Sequence, residues 1–399
     1  MSKNKELEEL KEERRKSLLK VESVEFDTKQ YDFGLKYDEN LFGTLWPYIQ
    51  NDDITDIKWN GQAIWINDIK KGRYIARDAS GLPIKLSQEF IHIFCTRIAN
   101  SVNENFNISE PSLKAETPEL RIQAEHGSVS GDGTIAIAIR KTPKVSRLAE
   151  QNLVENKYLD ELIEALLPCL MKARLSGIVT GDVGAGKTEL IKYLIRYIPN
   201  EDGIITVEDT LEMKATGLYP EKDIYSMRTT DAFTPEMAIV DALRLLTKWL
   251  ILAEARGREV NRIIEGASTG CRSLCAIHAE HAWEIPDRII NMAGENARSS
   301  LVNDVYTFFD YAIKVNADVT SNGIHRYISE IVFFDRDDNE DANKKYVIYR
   351  EGKLTDVILP KRIQKMFMDC GRSGKEFLNL YKNKYEELKA QKKLIRGTF

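Results

Sequence analysis

No stretch of this 399-residue chain approaches the ~18 consecutive apolar residues that a membrane-spanning helix needs; the longest, Ile135–Ile139 and Trp249–Ala253, fall far short. The opening MSKNKELEELKEERRK lacks an apolar core and does not read as a secretory signal. Cysteine is scarce: Cys95, Cys169, Cys271, Cys275 and Cys370 are scattered without a CxxC pair. That spacing excludes a disulfide framework and a tetracysteine zinc site, and it points to a reducing cytoplasm. An excess of positive charge is also missing, with 57 Lys and Arg against 62 Asp and Glu and a formal net charge of -5. A general polyanion binder is therefore not expected, and direct nucleic-acid binding is not indicated. What remains is 43% hydrophobic and 30% charged sequence, enough for a packed core. The length suits two domains at ~150 residues each.

Residues 1–40 read as a charged arm, a solvated helix or a frayed end. Residues 41–145 read as an α+β domain. Within it Asn60-Gly61 separates Ile57/Trp59 from Ile64/Ile66, which predicts an antiparallel hairpin with a two-residue turn. Ser87 opens a helix carrying Phe90, Ile91, Phe94 and Ile98, and Ile135, Ile137 and Ile139 alternate into a strand ending at Arg140. A polar linker follows near Lys141–Lys144. From 146 to 335 strands alternate with helices: Ile178–Thr180, Ile204–Val207, Trp249–Ala253 and Leu274–Ile277, with helices at Leu159–Lys172 and from Pro235 to about Thr247. Alternation of this kind implies crossover connections and a mostly parallel sheet. Residues 336–399 read as a hairpin strand and a basic helical extension, expected to be solvated. Residues 361–399 hold eleven Lys and Arg against four Asp and Glu.

The chemistry sits in Gly181-Asp182-Val183-Gly184-Ala185-Gly186-Lys187-Thr188, which satisfies G-x-x-x-x-G-K-[ST] between a predicted strand and a predicted helix. Glycines let successive backbone N–H groups turn toward phosphate oxygens, and the helix start adds positive potential. Lys187 would neutralise the β and γ phosphates, Thr188 would hold Mg²⁺, and Glu189 completes the phosphate-binding segment. In an open α/β sheet, ligands bind beyond the carboxyl ends of the strands. There the following strands deliver Glu208-Asp209, Glu254 and His278. Carboxylates suit a Mg²⁺–water shell and an attacking water, so the set predicts ATP hydrolysis with Glu254 near the metal through water.

Four motifs in order resemble the type II/type IV secretion ATPase superfamily: GDVGAGKT, TVEDTLEM at 206–213, LILAEARGREV at 250–260 and GASTGCRSLCAIHAE at 266–280. The segment ISEPSLKAETPELRIQA at 108–124 and the strand ending Ile139-Arg140-Lys141 also resemble that family. The resemblance implies a RecA-like P-loop domain behind an N-terminal α+β domain. It implies Glu208 as general base or water-orienting carboxylate, Glu212 as a supporting acid, Glu254 as Walker B acid and His278 as γ-phosphate sensor. Arg121 and Arg140 match N-terminal arginines that reach nucleotide phosphates. It further implies a homohexameric ATPase at the inner face of the plasma membrane, partnered by secretion or pilus machinery proteins.

Three positions depart from the pattern: Ala253 replaces a glycine before the Walker B acid, Cys271 stands in place of a first histidine, and Met227-Arg228 interrupts an Arg-x-x-acid run. The absent tetracysteine module favours the type IV secretion or tight-adherence branches over type II. Rival readings are another P-loop enzyme, a DNA-translocating motor, or a nucleotide-gated scaffold. Asp335, Asp337 and Asn339 imitate a calcium loop, but Glu340 occupies its glycine position. His281 is expected to be solvated or to stand behind His278.

Overall fold

The computed structural model describes residues 36–117, 119–142, 146–149, 151–294, 300–320, 323–337 and 342–397. Most of the charged arm, linker residues 143–145 and residues 338–341, with Asn339 and Glu340, lie outside the described residues. The chain divides into two units, one ending at Thr142 and the other beginning at Pro143.

The first unit is an antiparallel sheet in the order β3-β2-β1-β6-β5-β4. Its strands are β1 (Ile54–Trp59), β2 (Ile64–Asp68), β3 (Gly72–Ile75), β4 (Ser112–Glu116), β5 (Leu120–Glu125) and β6 (Ala136–Lys141). Alternation along β5 and β6 buries Leu120, Ile122, Ala124, Ile137 and Ile139. These pack with Ile91, Phe94 and Ile98 of α1 (Gln88–Ser101). The Ser87 hydroxyl caps α1 by accepting from the Phe90 N–H. The β1–β2 hairpin is present but its turn holds four residues, since Trp59 pairs with Ile64. The reason is local: Asn60 Oδ1 accepts from the backbone of Gln62 and Ala63, closing a wider turn.

The second unit carries a nine-stranded sheet in the order β15-β14-β13-β12-β7-β11-β10-β8-β9. Strands β7 (Gly177–Thr180), β8 (Ile204–Glu208), β9 (Ile224–Arg228), β10 (Trp249–Leu252), β11 (Arg272–Ala276) and β12 (Tyr311–Thr320) pair in parallel. Every residue of β7 and β10 is buried, as expected of parallel strands covered on both faces. Strands β13 (Gly323–Asp337), β14 (Ala342–Arg350) and β15 (Lys353–Leu354) extend the sheet antiparallel. One face packs against α2 (Glu161–Lys172) and α3 (Lys187–Ile195). The other packs against α4 (Pro235–Ala242), α5 (Glu259–Ser268), α6 (Ile285–Ala293) and α7 (Leu301–Phe308). The α4 helix ends five residues before the expected Thr247, whose hydroxyl donates to the Ala242 carbonyl.

The C-terminal segment differs most from expectation. Helices α8 (Lys361–Asp369) and α9 (Arg372–Ala390) belong to the core rather than to solvent. Phe377, Tyr381 and Tyr385 recur every four residues, forming one buried stripe of α9, while Lys375, Lys382 and Lys389 stay exposed. Arg362 of α8 donates to Asp310 and Asp335, both at 2.7 Å, and to the Phe334 carbonyl at 3.1 Å. Asp310 is 2% exposed and also accepts from the Ser176 N–H. Removing the guanidinium leaves a buried carboxylate poorly paired. We expect Arg362→Ala to cost about 3 kcal/mol in urea unfolding.

Candidate nucleotide-phosphate site

The loop 181–188 joins the buried strand β7 to α3. Gly181 has φ +141°, and a Cβ there would lie 2.2 Å from the Val315 carbonyl oxygen, so the loop's first turn admits no side chain. Gly186 has φ +103° and starts α3 in a left-handed conformation, with no side chain capping the helix. The first N–H groups of α3 are therefore free of a side-chain acceptor, which is the arrangement that binds anions. Between the glycines, Ala185 is buried while Asp182, Val183 and Gly184 are exposed at the loop's tip.

Lys187 folds back into this loop. Its ammonium donates to the Gly181 carbonyl at 3.0 Å and the Asp182 carbonyl at 3.1 Å, and lies 3.4 Å from each ring nitrogen of His278. Burial pulls its pKa down, opposed by the charges of Glu254 and Asp182. Thr188 is half-buried in the first turn of α3. Glu189 is directed elsewhere: its carboxylate takes Lys192 Nζ at 2.8 Å and the Arg147 N–H at 3.1 Å.

The sheet order sets the rest of the rim. Moving outward from β7, strand β11 delivers His278, β10 delivers Glu254, and β8 delivers Glu208 and Asp209. His278 Nε2 lies 3.2 Å from Glu254. Arg256 donates to Glu254 at 2.7 Å and lies 3.7 Å from Asp209. Burial works to raise the Glu254 pKa, but the hydrogen bond and charge of Arg256, with His278 and Lys187, outweigh it and hold the carboxyl below its usual value. Lys187, His278, Glu254 and Arg256 thus form one connected polar cluster.

Glu208 is 2% exposed at the end of β8. It accepts from the Met213 N–H at 2.8 Å and from Thr206 Oγ1 at 3.4 Å. Burial raises its pKa to about 7 against the backbone donors of Met213 and Glu212. Its hydrogen bonds stay with Thr206, Glu212 and Met213; among the described residues none reaches the phosphate loop.

Arg121 and Arg140 lie in the other unit and sit directly opposite each other on β5 and β6. They share the open face of that sheet with Trp65, Arg73 and Gln123, around a shallow cavity of about 310 Å³. Arg121 pairs with Glu116 at 3.3 Å and Arg140 with Asp56 at 3.0 Å. The Arg73 guanidinium lies over the Trp65 ring at 5.2 Å.

Three residues were not singled out from sequence. Arg256 lies inside the LILAEARGREV segment that marked Glu254, so its signal was present. Glu259, in the same segment, accepts from the Arg256 and Gly257 N–H groups and shapes the turn after β10. Arg326 of β13 donates to the Gly184 carbonyl at 3.3 Å, with burial and the charge of Arg147 lowering its pKa. No local motif marks Arg326, because sheet pairing alone carries β13 to the loop.

A family model described as "Type II/IV secretion system protein" matches residues 114–309. The chain is 26% identical over 288 residues to the type IV secretion system protein VirB11 of Brucella suis, covering 62% of this chain and 77% of that protein. It is 26% identical over 323 residues to an uncharacterized protein of Bacillus anthracis, covering 76% and 69%. The X-ray structure of the Legionella pneumophila ATPase DotB aligns at a TM-score of 0.52 and 16% identity, covering 86% of this chain and 89% of that one. At that identity the likeness speaks for the fold, an N-terminal domain followed by a RecA-like ATPase domain. The family match over residues 114–309, these relatives and the ordered motifs all support the type II/type IV secretion system ATPase superfamily.

Proposed function

We propose that this protein is a Mg²⁺-dependent ATPase that works as a ring-forming motor of a secretion, conjugation or pilus-assembly machine. The observation carrying this reading is the cluster of Lys187, His278 and Glu254 beside the uncapped start of α3. The loop fits a triphosphate because no side chain caps the start of α3 and Gly181 and Gly186 allow backbone turns that a side chain would prevent. Lys187 exchanges the carbonyls of Gly181 and Asp182 for phosphate oxygens. Thr188 and, through water, the ionised Glu254 would hold Mg²⁺. The metal supplies charge neutralisation on the phosphates. His278 reads the γ-phosphate position, and Glu208, with a pKa near 7, orients or deprotonates the attacking water. Arg121 and Arg140, opposite each other on the open face of their sheet, are guanidinium groups suited to phosphate charge that grows in the transition state.

Among the described residues no helix is long and apolar enough to cross a membrane. We place the protein in the cytoplasm as a homohexamer, peripheral at the inner face of the plasma membrane and bound to other machinery proteins. The test combines phosphate release with light scattering. Expected are turnover with Mg²⁺ that EDTA abolishes, no stimulation by DNA, and a particle near six times 45.6 kDa with ATP analogue. A strong DNA response would point instead to a DNA motor. Nucleotide binding without turnover would leave a nucleotide-gated scaffold.

A further inference from the structure

We propose that Glu330 is a positioning residue that, through His281 and Ala282, holds the loop carrying His278 against the phosphate site. The inference rests on the ATPase reading for its effect on turnover, but not for its structural content. Its origin is a register shift in the pairing of β12 with β13, where Lys314 pairs with Glu330 and the next pair is Val315 with Ile328. Ser329 is the extra residue, its hydroxyl donating to the Lys314 carbonyl at 3.4 Å. Bulges of this kind re-aim a side chain and are common near active sites.

Glu330 is 5% exposed, yet its carboxylate is well supplied with donors. It takes the Ala282 N–H at 2.7 Å and His281 Nδ1 at 2.8 Å, with Lys314 Nζ 3.7 Å away. The carboxylate fixes the imidazole tautomer with the proton on Nδ1. The His281 ring stacks on Trp283 at 4.0 Å between centroids, and Arg350 lies over that indole at 5.3 Å. The His281 N–H donates to Glu284. These contacts fix the far end of the loop.

The near end is fixed by Thr180, the residue before Gly181. Its hydroxyl donates to the Ala279 carbonyl at 3.1 Å and accepts from the Ala279 N–H at 3.0 Å. His278 therefore sits on a short segment anchored on one side to the phosphate-loop strand and on the other to β13. That segment borders a cleft of about 600 Å³ with Gly181, Asp182 and Lys314 on its walls. An apolar side chain at 330 would satisfy packing at less desolvation cost than a buried carboxylate. What the carboxylate adds is a directional hold on 281 and 282, and hence on the 3.2 Å approach of His278 to Glu254.

The variant is Glu330→Gln, whose amide can still accept from Ala282 but loses the charge. A displacement of about 1 Å near reacting groups costs on the order of a hundredfold. Turnover should fall roughly ten- to a hundredfold, with affinity for a fluorescent ATP analogue changed less than about threefold. Adding Glu330→Gln to His278→Ala should bring no further loss. The chain has five histidines, so their ring signals can be assigned by NMR. Without nucleotide, the His278 signals should move in Glu330→Gln and in His281→Asn. The second variant serves if the first does not fold. Unmoved His278 signals, or losses that multiply in the double variant, overturn the proposal. A wild type without turnover would defeat the ATPase reading instead, and the NMR comparison would still decide this one.

Discussion

Glu208→Gln is expected to lower phosphate release by about a thousandfold, within the range typical of a lost general base. Nucleotide affinity should stay within a few-fold, because the substitution keeps the shape and the hydrogen bond from the Met213 N–H. The same substitution should raise stability at pH 8. Burial lifts the Glu208 pKa from 4.5 to about 7 in the folded chain. Below about pH 4.5 the group is protonated whether folded or unfolded. Between 4.5 and 7 the folded state binds the extra proton, so stability declines as pH rises through that window and stays lower above it. The decline is on the order of 3 kcal/mol. Glutamine does not titrate, so the variant's melting temperature should lack this decline. Turnover of the wild type should climb through pH 7 as Glu208 deprotonates. Full turnover in Glu208→Gln, with the wild type flat from pH 6 to 8, would remove Glu208 from the chemistry.

The site was legible in sequence wherever one local rule places a residue. A strand, a glycine-rich turn and a lysine fix where Lys187 sits, and strand ends in a parallel sheet fix where Glu254 and His278 emerge. Their convergence follows from strand order, with β11 next to β7 and β10 next to β11. Arg326 and Glu330 obey no such rule. They reach the site because β12 adds to the edge of the parallel strands and β13 turns back along it, one residue out of register at Ser329. A pairing shift leaves no mark in linear spacing. The α9 helix is expected from sequence, but its burial is not, for a different reason. Its apolar stripe of Phe377, Tyr381 and Tyr385 is visible at helical spacing, but the basic surplus of 361–399 argued for solvent, and burial of aromatic area outweighs that surface charge. Glu189 adjoins the motif in sequence, but its carboxylate is held by Lys192 and the Arg147 N–H.

Lys187→Ala carries the second large expected effect: affinity for a fluorescent ATP analogue falling roughly 30- to 150-fold, with phosphate release lost. The estimate follows from a charge-assisted hydrogen bond to phosphate worth about 2–3 kcal/mol, at ~1.4 kcal/mol per decade. Two features of the structure place this lysine at the upper end. It is 9% exposed, so its ammonium has already given up much of its water and its pKa is lowered by that burial. It donates to two neutral carbonyls, beside the His278 ring, and these stabilise a cation less than a triphosphate does. Arrival of phosphate therefore relieves a poorly compensated charge. Lys187→Arg should not restore binding, since a planar guanidinium cannot occupy the space of a compact ammonium held by the Gly181 and Asp182 carbonyls. Loss of affinity in both variants, with melting temperatures near wild type, is the expected pattern. Wild-type affinity in Lys187→Ala would mean that the nucleotide does not bind in this loop.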